Sequence, residues 1–232
     1  MKHTLFGLAV ILGALYILLW PLHPYPLSYA LKASPVLLLA VVAWLQYRNA
    51  EISLRAAWLY ALAMLTSAAG DVFLDFDRSL YLKQALAAFL LAQLSYIALL
   101  WPLRQSRRGD ALRAGLPALF AAFLLCQFYP NTGALWWPVL IYVLCLWGMA
   151  VLALRSGNRW IAGGGVLFML ADSLIGVNRF WLPFEHSTPV IVSIYISAQL
   201  LLGYGLLLAA DSPLLKAVNA HQKGTAESAP AS

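Results

Sequence analysis

Long, uninterrupted apolar runs are the feature that most constrains how this chain can fold. A helix needs about 20 apolar residues to cross the ~30 Å hydrocarbon core of a bilayer. Short polar or proline-rich stretches separate runs of this kind at residues 4–20, 29–47, 54–74, 82–101, 111–129, 134–154, 160–177 and 187–210. We therefore expect an all-α polytopic membrane protein, a bundle of eight transmembrane helices within residues 1–210.

Composition and charge favour this class and exclude others. The chain is 62% hydrophobic and only 10% charged, whereas soluble domains are roughly a quarter charged. An outer-membrane barrel is excluded because the apolar runs are continuous and do not alternate. The net charge of +6 does not indicate a nucleic acid partner, because membrane proteins gather Lys and Arg on their cytoplasmic loops.

The division of Lys and Arg between the two faces of the predicted bundle indicates its orientation. Eleven of these residues fall on the side of the N-terminus and four on the opposite side, which we call the far side. The positive-inside bias then predicts that both termini are cytoplasmic. The polar segment 211–232 is predicted to be a disordered cytoplasmic tail.

Two aspartates inside the apolar runs require an explanation, because a carboxylate within a bilayer is costly. Asp71 lies about four residues before the end of the third run, and Asp172 lies about five residues before the end of the seventh. At 1.5 Å per residue, both lie roughly 6–8 Å below the far surface. Ionisable groups inside spans usually face the bundle interior, so we predict that the two aspartates face one intramembrane site.

Other polar side chains fall in the same half of the membrane as the aspartates. Counting residues from the helix ends assigns six of them to this half: Lys32, Gln93, Asn178, Arg179, Tyr195 and Gln199. Ser67 and Asp75 share a helix face with Asp71, because they are four residues before and after it. The triplet at residues 163–165 is all glycine and allows close helix approach. A purely structural alternative is that Lys32 and Asp71 form a buried packing pair, while Asp172 only accepts hydrogen bonds.

The two halves of the predicted bundle share short sequence features. Each half has its aspartate in the third span and an Ala-Gln pair in the fourth, at residues 92–93 and 198–199. These matches are compatible with two four-helix halves related as a parallel repeat. They are also short enough to be coincidental.

At these residues the chain resembles the YhhN family, also called the TMEM86 family, of eight-span lysoplasmalogenases. The resemblance covers nearly the whole chain and consists of Lys32 followed by Pro35, and of the segments 67–74, 88–96, 165–174, 178–180 and 195–200. The family often has Gly where Ala85 stands and His where Gln93 stands. An amide does not transfer protons, so that role is in doubt at Gln93. The usual Lys-Pro pair is opened by two residues between Lys32 and Pro35.

The resemblance implies hydrolysis of the vinyl-ether bond of a lysophospholipid, in a membrane that we expect to be the bacterial inner membrane. This chemistry passes through an oxocarbenium ion, and glycosidases handle the same ion with two carboxylates. We expect Asp71 to be the acid, with Asp75 as a like charge one turn away, and Asp172 to be the ionised partner. Asp75 lies at the exit of its helix, where we expect water to surround and screen it. Lys32 and Arg179 suit a phosphate, and Gln93, Asn178, Tyr195 and Gln199 suit substrate binding.

Other functional classes fit the sequence less well. No metal or cofactor is expected, because the four histidines lie at helix ends and in loops rather than in a cluster. His186, in the loop on the far side, is either a solvated loop histidine or one that could reach the site. There is no Gly-x-Ser-x-Gly motif for a serine hydrolase. The main alternative is a proton-coupled carrier of a small or lipid-like solute that loads protons on the aspartates. A scaffold protein would leave two matched aspartates unexplained.

Overall fold

A computed structural model describes residues 1–49, 51–77, 80–106 and 108–210. The predicted tail at residues 211–232 lies outside the described residues. The α-helices are α1 (Lys2–Leu19), α2 (Ser28–Arg48), α3 (Leu54–Phe76), α4 (Leu82–Leu100), α5 (Asp110–Thr132), α6 (Trp136–Arg155), α7 (Arg159–Phe180) and α8 (Ser187–Ala210). No strand occurs in these ranges, and the all-α prediction is confirmed.

Membrane-crossing segments follow the predicted apolar runs closely. Seven segments in the described ranges are long and apolar enough to cross a bilayer. One of them, Asp110–Arg155, has 46 residues and contains both α5 and α6. The chain is therefore an integral membrane protein, while the count of eight spans stays a prediction at this point.

The helices pack mainly on their neighbours in sequence, and a few longer-range contacts close the bundle. Helix α4 packs on α6, and α8 returns to contact both α1 and α2. Helix α5 contacts α6 and α7. These contacts bring α2, α3, α4, α6, α7 and α8 around a common interior.

The bundle has a cluster of polar side chains within a mostly apolar interior, and its outer faces are apolar, as expected for a protein surrounded by lipid. Lys32, Asp71, Gln93, Asp172 and Gln199 are all buried. Large apolar side chains on the outer faces are exposed, including those of Trp58, Phe123, Trp137 and Leu144. Without water in the hydrocarbon core, buried polar groups must find partners within the protein.

Close packing of α7 on α8 depends on Gly164. A Cβ at this position would meet the Leu202 backbone nitrogen at 2.7 Å and the Ala198 carbonyl oxygen at 2.9 Å. Small residues let transmembrane helices approach in this way. The prediction of close approach at the glycine triplet is confirmed at this position. The contact fixes Gln199 of α8 relative to Asp172 of α7, eight residues after Gly164 on its own helix.

Replacing Gly164 by Ala should destabilise the bundle, because the new methyl group would meet backbone atoms that cannot move independently. Overpacking of this kind typically costs about 1–3 kcal/mol. Gly163→Ala is the matched control, since its nearest neighbour would be the Leu201 side chain at 3.7 Å. Thermal unfolding in detergent should give a lower midpoint for Gly164→Ala than for Gly163→Ala. Equal midpoints would contradict the packing account.

Candidate active site

Asp71 is held at the far end of α3 by side chains from two other helices. It is 1% exposed. The Tyr195 hydroxyl of α8 donates to Asp71 Oδ2 at 2.8 Å. The Lys32 Nζ atom of α2 lies 3.7 Å from Asp71 Oδ1 and donates to the Asp71 carbonyl oxygen at 3.4 Å. The buried carboxylate therefore has a cation on one oxygen and a hydroxyl donor on the other.

A chain of hydrogen bonds fixes the direction in which the Tyr195 hydroxyl points. The Gln199 amide donates to the Tyr195 oxygen at 3.2 Å and to Ser67 Oγ at 3.0 Å. The Tyr96 hydroxyl donates to Gln199 Oε1 at 2.6 Å. Because the Tyr195 oxygen accepts from Gln199, its own proton is directed to Asp71.

Asp172 has a different set of partners. It is 5% exposed and accepts hydrogen bonds at Oδ2 from the Tyr142 hydroxyl and from Gln93 Nε2, the latter at 3.2 Å. Both donors are neutral. Within the described ranges, no residue donates to Oδ1 and no cation pairs with this carboxyl group. One oxygen of Asp172 is thus anchored while the other has no donor.

Both aspartates line one cleft between α2, α3, α7 and α8. This cleft is small, with a cavity volume of about 10 Å³, and Lys32, Tyr195 and Phe89 also line it. A second, mostly apolar cleft, with a cavity volume of about 40 Å³, adjoins it, and Asp172 and Phe89 line both. The polar cleft therefore lies next to an apolar one.

The structure brings most of the predicted site residues together. Lys32, Asp71, Asp172, Gln93, Tyr195 and Gln199 lie in or directly behind the polar cleft. Arg179 is exposed and lines the apolar cleft. Asn178 lines neither cleft. Its Oδ1 accepts from the Phe184 backbone N–H at 3.2 Å, which orders the connection between α7 and α8.

Tyr142 is the site residue that the sequence analysis missed. It stands in the apolar run of α6, where a tyrosine is easily interpreted as a packing residue. The only signal is depth: it lies six residues after the start of α6, near the level of Asp172 in α7. A buried tyrosine hydroxyl usually finds a partner, and here that partner is Asp172.

The expectation that water surrounds Asp75 at the end of α3 was wrong. Its side chain is only 4% exposed. It accepts hydrogen bonds from the Tyr16 hydroxyl at 2.8 Å and from Ser28 Oγ at 2.6 Å, and His23 Nε2 lies 3.5 Å away. The reason is that α3 continues to Phe76 while α1 and the start of α2 fold against it. Asp75 thus connects α1, α2 and the loop between them to α3, one turn beyond Asp71.

Comparison with known proteins identifies the chain's relatives. The YhhN family model matches residues 27–206. A lysoplasmalogenase of Mycobacterium bovis is 35% identical over 195 residues, which is 81% of this chain and 73% of that protein. Lysoplasmalogenase TMEM86B of Sus scrofa is 30% identical over 215 residues, or 88% and 85% of the two chains. No solved structure matches. From the matched range and these identities, the chain belongs to the YhhN family.

Proposed function

We propose that this chain is a lysoplasmalogenase, which hydrolyses the vinyl-ether bond of a lysoplasmalogen to a fatty aldehyde and a glycerophospho-ethanolamine or glycerophospho-choline. Its relatives carry that name. The observation that carries the proposal is the pair of buried aspartates, which line one cleft but have different partners.

Two carboxyl groups in different protonation states suit the hydrolysis of a vinyl ether. Cleavage begins when an acid protonates the outer alkene carbon, leaving an oxocarbenium ion at the carbon attached to oxygen. A carboxylate then stabilises that cation and activates water, as in glycoside hydrolysis. One carboxyl group must therefore hold a proton near neutral pH, while the other is ionised.

The geometry favours Asp172 as the acid and Asp71 as the carboxylate, which reverses the assignment expected from sequence. That assignment depended on Asp75 as the nearest charge to Asp71. Lys32 Nζ, at 3.7 Å from Asp71 Oδ1, instead provides a compensating positive charge. Asp172 has only neutral donors, both at Oδ2, so its Oδ1 can carry the proton that substrate receives.

The reaction then returns both aspartates to their starting states. Asp172 gives its proton to the outer carbon, and the oxocarbenium ion forms opposite the Asp71 carboxylate. Water adds to this ion and gives one proton to Asp71, which leaves a hemiacetal. As the hemiacetal collapses, Asp71 protonates the departing glycerol oxygen, and the hemiacetal hydroxyl returns its proton to Asp172.

The remaining site residues divide into those that meet the substrate and those that act through an aspartate. Arg179, exposed at the apolar cleft, suits the phosphate, and the apolar cleft suits the alkenyl chain. Gln93 and Tyr142 position Asp172, while Lys32, Tyr195 and Gln199 position Asp71. Asn178 orders the adjoining loop.

A proton-coupled carrier is the alternative that shares the paired carboxylates. Carriers with alternating access hold their sites near the bilayer midplane. Asp71 lies five residues before the end of α3 at Phe76, which is roughly 8 Å from that helix end. Such a depth favours a site open to one side, and aldehyde release by purified protein distinguishes the two functions.

For the membrane arrangement, we propose eight spans in two halves of four, with both termini cytoplasmic. The segment Asp110–Arg155 has 46 residues, and a single straight helix of that length would extend about 70 Å. Its two helices pack against each other and are joined by a short turn at Gly133–Leu135. This supports two crossings, and the excess of Lys and Arg on the N-terminal side supports the orientation.

Cysteine labelling tests this orientation. Ser106 is exposed in the connection between α4 and α5. In a background with Cys126 and Cys145 replaced by Ala, Ser106→Cys should react with a membrane-impermeant maleimide only after the cells are opened. Ala134→Cys, exposed at the turn between α5 and α6, is the comparison position and should react in intact spheroplasts. The reverse pattern would overturn the orientation.

Replacing either cleft aspartate by Asn should lower kcat for aldehyde release by at least about 100-fold, because a carboxamide neither donates a proton to carbon nor carries negative charge. Asp77→Asn is the matched control, since Asp77 is exposed at the end of α3. It should retain near-normal activity. With matched expression, near-normal aldehyde release by Asp71→Asn or Asp172→Asn would sink the two-carboxylate mechanism.

The two cations near the site should have separable effects on kinetics. Arg179→Gln should raise KM several-fold with little change in kcat, because a contact with the phosphate stabilises the ground state and the transition state alike. Lys32→Gln should mainly lower kcat, because it removes the charge opposite Asp71. Size-exclusion profiles should establish that both variants are folded. An increase in KM alone for Lys32→Gln would assign it to the phosphate instead.

A further inference from the structure

A third cleft lies at the opposite end of the bundle from the aspartates. It is surrounded by the ends of α2, α4 and α8 and by the start of α3, and its cavity volume is about 200 Å³. The walls are mostly apolar and include Leu59, Leu99, Leu103 and Leu206.

Two buried polar side chains line this apolar space and have a side-chain atom without a hydrogen-bond partner among the described residues. Gln46 is 1% exposed and Tyr60 is 2% exposed. Neither Gln46 Nε2 nor the Tyr60 hydroxyl makes a hydrogen bond within the part of the chain that the structure describes. Leaving such a group unsatisfied typically costs about 1–3 kcal/mol. Both groups can donate a hydrogen bond, so they match a ligand with acceptor oxygens.

The opposing helix cannot satisfy the Tyr60 hydroxyl. Gly203 of α8 faces it, and a Cβ there would lie 3.0 Å from the hydroxyl oxygen. Helix α8 therefore offers no side-chain partner at this point. The Tyr60 hydroxyl lies beside the space that a side chain at residue 203 would occupy.

Arg55 gives the cleft a positive charge. It lies in the first turn of α3, is exposed and lines the cleft. It makes no ion pair with any residue in the described ranges. Because fixed positive charge near a low-dielectric wall attracts anions, the ligand that fits best is anionic at its polar end and apolar along its length.

We propose that this cleft binds a long-chain fatty acid as its carboxylate. The carboxylate oxygens accept from Tyr60 and Gln46, Arg55 provides the attracting charge, and the chain lies along the leucine walls. The site is separate from the vinyl-ether cleft, and nothing in the proposed reaction uses its residues.

Photolabelling with a diazirine derivative of oleate tests the proposal, using the full chain in lipid nanodiscs. Labelling should saturate and should map to peptides of α2, α3 and α8. Tyr60→Phe should raise the half-saturating concentration about tenfold, the loss expected for a hydrogen bond to a charged group. Arg55→Gln should raise it at least about threefold at low salt, because it removes the attracting charge. Tyr47→Phe and Arg48→Gln are the matched controls near the same helix end and should leave it unchanged.

Two further measurements control for misfolding of the variants and for non-specific partitioning of the probe. Tyr60→Phe removes a hydroxyl that has no partner in the described part of the chain, so its thermal midpoint should equal or exceed that of the unsubstituted chain. An oleyl alcohol probe with the same chain should label much more weakly, because it lacks the charge. Equal labelling by both probes, or unchanged half-saturation in both Tyr60→Phe and Arg55→Gln, would overturn the proposal. Because the readout is labelling, loss of the proposed vinyl-ether activity would not affect it.

Discussion

The pairing of Lys32 with Asp71 is the interaction on which the far half of the bundle depends. Burying two charges is costly, and removing one partner of such a pair typically destabilises a protein by about 3–5 kcal/mol. Lys32 is 3% exposed and Asp71 is 1% exposed, so neither has bulk water as an alternative partner. The pair links α2 to α3, and the Tyr195 hydroxyl adds α8 to the same carboxylate.

That constraint also makes the two aspartates chemically different, although they line the same cleft. Asp71 is surrounded by a cation and by a hydroxyl whose direction Gln199 fixes. Asp172 receives two neutral donors on one oxygen. Two carboxyl groups with different environments are what acid and base roles require. In the proposed mechanism, this asymmetry defines the direction of proton transfer.

The sequence was sufficient to predict which residues lie at the same depth. The rise along a helix is fixed at 1.5 Å per residue, so Asp71, Asp172, Lys32 and Tyr195 could be assigned to one half of the membrane by counting. Helix rotation and neighbour order are not fixed in that way, since they depend on packing across the whole bundle. For this reason Tyr142 of α6 was missed, and Asn178 was assigned to substrate although its side chain orders a loop.

The environment of Asp75 illustrates the same limit. Its position near a helix end predicted contact with water. Its hydrogen-bond partners Tyr16 and Ser28 exclude that water, and they lie 59 and 47 positions earlier in the sequence. Contacts over that separation follow from tertiary packing alone. The proposed acid assignment changed with them, because Asp75 accepts from donors of its own and Lys32 Nζ lies 3.7 Å from Asp71 Oδ1.

Infrared difference spectroscopy of the two Asn variants tests the central claim most directly. A protonated carboxyl group has a C=O stretching band that an ionised carboxylate lacks. At neutral pH, the unsubstituted protein should show this band for a buried carboxyl group, Asp71→Asn should retain it, and Asp172→Asn should lose it. Loss of the band in Asp71→Asn with retention in Asp172→Asn would contradict the account.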